Sequence, residues 1–201
     1  AQICNATCTG HDSSLVPYPY DSDRAVALLA EAEADGVPVD MEINLAAREA
    51  VFPRSEEVVQ AVQAMLTDVG FNVSVNFYDP ETFGEMVVQN WKDVPEDRNL
   101  VIIHGHGNEI FDMATSYKYY FSCEGILSVY CNEEAEALWN EALPLEGDAR
   151  QNKLAEMNNV LHGDWGNGYI GHQDLAYGVQ GIDWEPSLAH TILAKQFGNI
   201  G

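Results

Sequence analysis

Asn99-Leu-Val-Ile-Ile-His-Gly-His-Gly-Asn-Glu-Ile-Phe-Asp112 is the stretch whose reading decides the fold. Four consecutive apolar residues, Leu100 to Ile103, predict a strand buried on both faces, and the run ends abruptly at His104-Gly105-His106-Gly107. Polar chemistry therefore stands at the strand's mouth. In an α/β sheet the crevice at the carboxyl ends of the strands is where ligands are held, because side chains and free backbone groups converge there. His104 to Asp112 is the candidate site, with an ordinary strand-to-helix loop carrying two exposed histidines as the plain alternative.

Outward from that strand the chain alternates. Val39, Met41, Ile43 and Leu45 alternate with Asp40, Glu42 and Asn44, which predicts a half-buried strand, and Phe71, Val73, Val75 and Phe77 predict another. Three helices fit between and before them. One runs from about Ser22 to Ala34 after the N-cap Asp21, with Ala25, Leu28, Leu29 and Ala32 on one face, and stops at Asp35-Gly36-Val37-Pro38. The second starts at Ser55, carries Val58, Val62, Met65, Leu66 and Val69 on one side, and ends at Gly70. The third follows Asp79-Pro80 and spans roughly Glu81 to Trp91. Ala46 to Arg54 reads as a loop. Strand, helix, strand, helix, strand is the order of an α/β domain with a parallel sheet and right-handed crossovers.

Downstream, Phe111 to Tyr120 is aromatic and partly helical, Asn132 caps a helix through Leu143, and a last helix covers about Asp148 to His162 after Gly147. Glycines at 163, 166, 168, 171, 178 and 181 then interrupt short apolar pieces, as in extended strands and turns, so a boundary is expected near Gly163. Residues Ala1 to Val16 are polar, without periodicity, and read as a connector.

Composition restricts the partners. With 46% hydrophobic residues in 201, the chain is globular, and 9 Lys plus Arg against 32 Asp plus Glu give a formal charge of -23. Nucleic acid and anionic membrane surfaces are excluded as partners, since both require clustered cations. No run approaches the ~20 apolar residues of a membrane span, and no basic and apolar leader opens the chain. Either the chain is cytosolic or its targeting signal lay upstream. The cysteines favour the second, as they form two local pairs, Cys4-x3-Cys8 and Cys123-x7-Cys131, of the kind that closes small disulfide loops in an oxidising compartment. Four reduced, partly buried thiols are the alternative.

Tyr18-Pro-Tyr-Asp-Ser-Asp-Arg-Ala-Val-Ala-Leu-Leu-Ala-Glu-Ala32, Ser55 through Gly70, Ser122-Cys123 through Tyr130-Cys131-Asn132, and Tyr177-Gly178-Val179 together resemble the C-terminal half of the family 5 extracellular solute-binding proteins. These are the dipeptide, oligopeptide and nickel receptors of ABC importers. The resemblance covers about Val16 to Trp184 in the family's order and spacing. It implies a periplasmic-binding-protein-like α/β fold within a two-lobed receptor, roughly twice this length, that closes on its ligand like a hinge. Residues 17–162 would be the C-terminal lobe, 163–201 crossover strands returning to the first lobe, and 1–16 the tail of that lobe. It further implies no catalysis, no cofactor, a periplasmic or extracellular location, a small-molecule or peptide ligand and a membrane permease as partner. The Cys123–Cys131 pair matches a disulfide that some members carry. Peptide receptors of the family place an Asp after this strand to meet the peptide's ammonium, and here Asn108 stands there. A neutral amide lacks that charge-assisted bond, so Glu109 or Asp112 substitutes or the ligand is not a peptide.

The expected ligand-facing residues are His104, His106, Gly107, Asn108, Glu109, Asp112 and Arg48. Arg48, like Arg54, is conspicuous in so acidic a chain and suits an anionic ligand group, with surface ion pairing as the alternative. His104 and His106 also have the H-x-H spacing of paired metal ligands, which makes a metal-assisted hydrolase the rival function, although the H-x-H-x-D-H pattern of such enzymes is not completed. Tyr117, Tyr119, Tyr120 and Phe121 either wall a pocket or pack a core.

Overall fold

The computed structural model describes residues 2–3, 6–16, 19–50, 53–88, 92, 99–103, 108, 110–128 and 131–165. Helix α1 (Ser22–Ala34) starts where Asp21 accepts the Arg24 N–H, and it buries Ala25, Leu29 and Ala32. Strand β1 (Ile43–Arg48) begins and ends later than the alternation suggests. Val39 and Met41 lie in turns, their N–H groups donating to Val37 and Pro38 carbonyls, and Arg48 closes the strand instead of lying in the loop after it. Helix α2 (Ser55–Asp68) follows, and the chain leaves it through Gly70 at φ +112°, which suits a residue without Cβ. Strand β2 (Val73–Tyr78) leads to α3 (Pro80–Val87), whose first turn is capped by Asp79 accepting from the Glu81 and Thr82 N–H groups. This helix stops before the expected Trp91, and residues 89–91 lie outside the described set. Strand β3 (Leu100–Ile103) completes a parallel sheet of order β2-β1-β3.

That order corrects one expectation. All four residues of β3 are only half-buried, whereas Leu45, Ala46 and Ala47 of β1 are fully buried. Among the described strands β3 pairs with β1 alone and forms an edge, so the strand covered on both faces is the central β1. Ile43, Leu45 and Ala47 face the cluster made with Leu29 of α1 and Val59, Val62 and Leu66 of α2. Each fully buried Leu or Val there contributes about 1.5–3 kcal/mol. The chain crosses from β1 to β2 through α2, then back over β1 to β3 through α3, so right-handed connections put α3 on the opposite face. Phe83 of α3, 2% exposed, is accordingly outside that cluster, and the small Ala46 is on the α3 side of the pleat.

A second core joins α4 (Met113–Tyr120), α5 (Glu133–Ala142) and α6 (Gly147–Trp165). Asn132 accepts from the Glu134 and Ala135 N–H groups as the expected cap of α5. Helix α6 begins one residue earlier than the spacing suggests and runs on through Gly163. Met113, Tyr117, Leu138, Leu154 and Met157 interlock, and Ile3 and Cys8 of the leading segment are buried among them. That segment is tied to α6 by amides: Gly10 N–H donates to Gln151 Oε1 at 2.7 Å, Asn158 Nδ2 to Gln2 Oε1 at 2.6 Å and Asn159 Nδ2 to Asp12 Oδ2 at 2.8 Å. Cys123 and Cys131 form a disulfide. Cys8 is also disulfide-bonded, and Cys4 is not among the described residues. No helix among the described residues is long and apolar enough to cross a membrane.

Candidate functional site

Because the three strands are parallel, their carboxyl ends share one edge of the sheet. Arg48 ends β1 opposite Tyr78 of β2, one position beyond the Ala47↔Ile103 pair with β3. Its setting differs from that of the other described cations. Arg24 pairs with Glu31, Arg54 with Glu57, Lys92 with Glu124, Arg150 with Asp112, and Lys153 with Glu141 and Glu156. Lys118 sits 5.6 Å from the Tyr119 ring centroid. Among the described residues Arg48 alone of the arginines has no carboxylate partner, in a chain with more than three acids per base. Arg54 took the ion-pairing alternative.

Of the expected site loop, His104, His106, Gly107 and Glu109 lie outside the described residues. Asn108 and Asp112 are placed in detail. The Asn108 side chain is turned into the protein, with 3% of the residue exposed. Its Nδ2 donates to the Asp112 carbonyl at 2.8 Å and to Ser116 Oγ at 2.9 Å, while its Oδ1 accepts the Asp112 N–H at 3.3 Å. An amide does this where a carboxylate would not, since one side chain must both donate and accept. Asp112 caps α4 by accepting the Ala114 N–H at 2.9 Å, and it forms a two-pronged ion pair with Arg150: Nε to Oδ2 at 2.7 Å and Nη2 to Oδ1 at 3.1 Å. Arg150 also donates through Nη1 to the Ala142 and Leu143 carbonyls at the end of α5. So these two expected ligand groups are both bonded to the scaffold, Asn108 to Ser116 and Asp112 to Arg150.

Sequence reasoning did not single out Arg150, Ser116 or Thr9. Thr9 bridges to Asp112: its N–H donates to the Phe111 carbonyl at 2.8 Å and its own carbonyl accepts the Met113 N–H at 3.0 Å. Arg150 lies 38 residues from Asp112, and nothing local in either stretch signals the pairing.

Left-handed backbone occurs in the segments that follow β1 and β3. The described residues other than glycine with positive φ are Ala50 at +50° and Arg54 at +62°, both after β1, and Phe111 at +51°, after β3. Left-handed conformations cost Cβ-bearing residues about 1–3 kcal/mol and collect where function holds them.

The tyrosines divide. Tyr117 and Phe121 are buried in the second core with ring centroids 6.4 Å apart, and Trp139 lies 5.5 Å from Tyr117. Tyr117 Oη donates to Glu136 Oε2 at 3.2 Å, and the same carboxylate oxygen accepts the Cys123 N–H at 3.0 Å, fastening the disulfide loop to α5. Burial, reinforced by the Glu136 charge, pushes the Tyr117 phenol well above its ordinary range, and burial alone raises Tyr120 to about 12. Tyr119 is exposed. No group of three potential metal-binding side chains occurs among the described residues.

The sequence model of the bacterial extracellular solute-binding proteins, family 5 Middle, matches residues 4–128. No curated protein matches the chain. Among solved structures, the ABC transporter substrate binding protein CtaP from Listeria monocytogenes superposes with a TM-score of 0.64 at 18% identity, over 80% of this chain and 32% of that one. A dipeptide binding protein from Pseudoalteromonas in complex with Met-Leu gives 0.64 at 16% identity, over 80% and 31%. The periplasmic binding protein DppA from Helicobacter pylori in complex with peptide STSA gives 0.61 at 18% identity, over 80% and 30%. At these identities the likeness is one of fold, and the chain spans about a third of the length of each of these proteins. With the family match extending over more than half of its residues, the chain belongs to the family 5 extracellular solute-binding proteins.

Proposed function

We propose that this chain is the C-terminal lobe of a solute receptor that captures peptides or peptide-like polar solutes outside the cytoplasmic membrane. The receptor would deliver them to an ABC permease and perform no chemical step of its own. Residues 17–162 form the lobe, 1–16 connect it to a partner lobe, and 163–201 return toward that lobe. His104, His106, Gly107 and Glu109 face the ligand with Arg48.

The observation that carries this reading is Arg48: an arginine without a carboxylate partner among the described residues, at the carboxyl edge of a parallel sheet, in a chain of charge -23. A guanidinium left open among so many acids is suited to an anion arriving from outside, and a peptide's terminal carboxylate is a bidentate match. The peptide ligands of two structural neighbours favour the same class. Calorimetric titration of the full-length protein with Met-Leu and with its C-terminal amide tests it. The free acid should bind about tenfold tighter or more, and Arg48→Met should abolish that preference. Equal affinity for acid and amide in the unmodified protein would overturn the assignment.

A further inference from the structure

One side of α6 holds the leading segment along its length. Gln151, Asn158, Asn159 and His162 recur at helical spacing beside the buried Leu154, Met157 and Leu161, so a polar stripe adjoins the apolar one. Gln151 bonds the segment's backbone twice: its Oε1 accepts the Gly10 N–H at 2.7 Å and its Nε2 donates to the His11 carbonyl at 2.9 Å. Gln2 exchanges two bonds with the Asp12 backbone, at 2.7 and 2.9 Å, and accepts from Asn158 Nδ2. Asn159 donates to the Asp12 carboxylate, and His162 is hydrogen-bonded to the Val16 backbone. Gly10 lies so close to the helix that a Cβ there would meet Leu154 Cβ at 2.8 Å. Ile3 and Cys8 are buried in the second core. On the other side of the segment, Thr9 is paired with the backbone of Phe111 and Met113, next to the Asp112 that Arg150 holds. Consecutive residues of α6, Arg150 and Gln151, thus pin both sides of the Thr9–Asp112 bridge.

We propose that the leading segment, residues 2–3 and 6–16, is a strap fastened to α6 that moves with the second core as one body, so that the receptor's lobes pivot outside it. The strap stands on these contacts, and the pivot rests on the receptor reading above. A hinge must change its backbone angles at little cost and so lies where few bonds have to break. Bending within this segment would instead strip amide groups from a seam where each one both donates and accepts. A displacement of the strap is also a displacement of the turn at Phe111 to Met113.

Residue-resolved hydrogen exchange of the full-length protein, without and with Met-Leu, tests both parts. In the ligand-free protein the Thr9, Gly10 and Asp12 amides should exchange about a hundredfold or more slower than in an unfolded chain, and Met-Leu should change them by less than about twofold. Gln151→Met should speed exchange at Gly10 by about tenfold or more and carry Thr9 and Met113 with it, while Leu138 in α5 stays within about twofold. Gln151→Glu keeps the acceptor for Gly10 and should fall between. Strap amides exchanging at unfolded-chain rates, or a Gly10 amide indifferent to both substitutions, would overturn the strap. Protection at Thr9 to Asp12 that changes about tenfold on adding Met-Leu, with α6 unchanged, would put the pivot inside the segment and overturn that part. A protein whose strap is protected but which binds no peptide overturns the receptor reading and the pivot with it, and leaves the strap supported.

Discussion

Replacing Arg150 with Met tests the joint on which the site loop rests. The side chain makes two charge-assisted bonds to Asp112 and donates to two carbonyls ending α5, with the two charged side chains only 19% and 16% exposed. Methionine fills similar volume but leaves the Asp112 carboxylate without its cation and the carbonyls without donors. Breaking a buried pair from one side costs about 3–5 kcal/mol. The residual exposure lets water reach the carboxylate, which places the expected loss near the lower end, ~3 kcal/mol. For a chain of this size that is a fall of about 6–12 °C in melting temperature. Asp112→Asn keeps an acceptor for the Ala114 N–H and should cost less, about 1–2 kcal/mol. The double variant should be more stable than the sum of the single losses by about 1–3 kcal/mol, since the second change removes the stranded partner of the first. Urea unfolding of the four proteins measures all three numbers. A methionine variant within ~0.5 kcal/mol of the parent, or strictly additive losses, would refute the claim that this pair fixes the turn.

Gly10→Ala should destabilise the fold by about 2–4 kcal/mol, because at φ +99° its Cβ would stand 2.8 Å from Leu154 Cβ and 3.0 Å from Met113 Cβ, atoms that no rotamer change can move. Urea midpoints read it. His162 is held below its ordinary pKa of 6.5, chiefly by burial, with a backbone hydrogen bond at Val16 opposing the shift. The unfolded chain therefore binds this proton at a pH where the folded one does not, so its contribution is intact above pH 6.5 and declines as pH falls through that value. His162→Gln should flatten that part of the stability profile measured between pH 7.5 and about 5.5. Serine at both Cys123 and Cys131 opens a loop of sequence separation 8 and should cost about 2–3 kcal/mol, seen as a lower melting temperature under non-reducing conditions.

How much of this was legible beforehand depended on whether the controlling contacts were local. Asp21, Asp79 and Asn132 cap the helices they precede, because an N-cap acts within three residues and leaves its mark in the sequence. The parallel order of strands and helices was equally readable from periodicity. The bounds of β1 are not legible in the sequence because Val39 and Met41 continue the alternation into a turn, while the centre of the strand, Leu45-Ala46-Ala47, does not alternate: both its faces are covered. The same distinction explains β3, whose apolar run belongs to an edge. At the candidate site, Arg48 stands out in the sequence by its rarity as a cation, whereas its place at the end of β1 shows only in the structure. The partners of Asn108 and Asp112, Ser116 and Arg150, lie on other elements and leave no local mark in the sequence, and the left-handed Phe111 has no glycine to announce it. The leading segment lacks periodicity, yet Ile3 and Cys8 are buried, because an extended segment docked through amides and single side chains needs none.

The most direct test of the central claim is thermal unfolding of the full-length protein in the presence of Met-Leu, Ser-Ser, a tetrapeptide and zinc. A receptor that traps peptides should be stabilised by the peptides saturably, by about 2.7 kcal/mol at a hundredfold excess over the dissociation constant. Stabilisation by stoichiometric zinc alone, with no response to any peptide, would contradict the receptor account and favour the metal-assisted hydrolase instead.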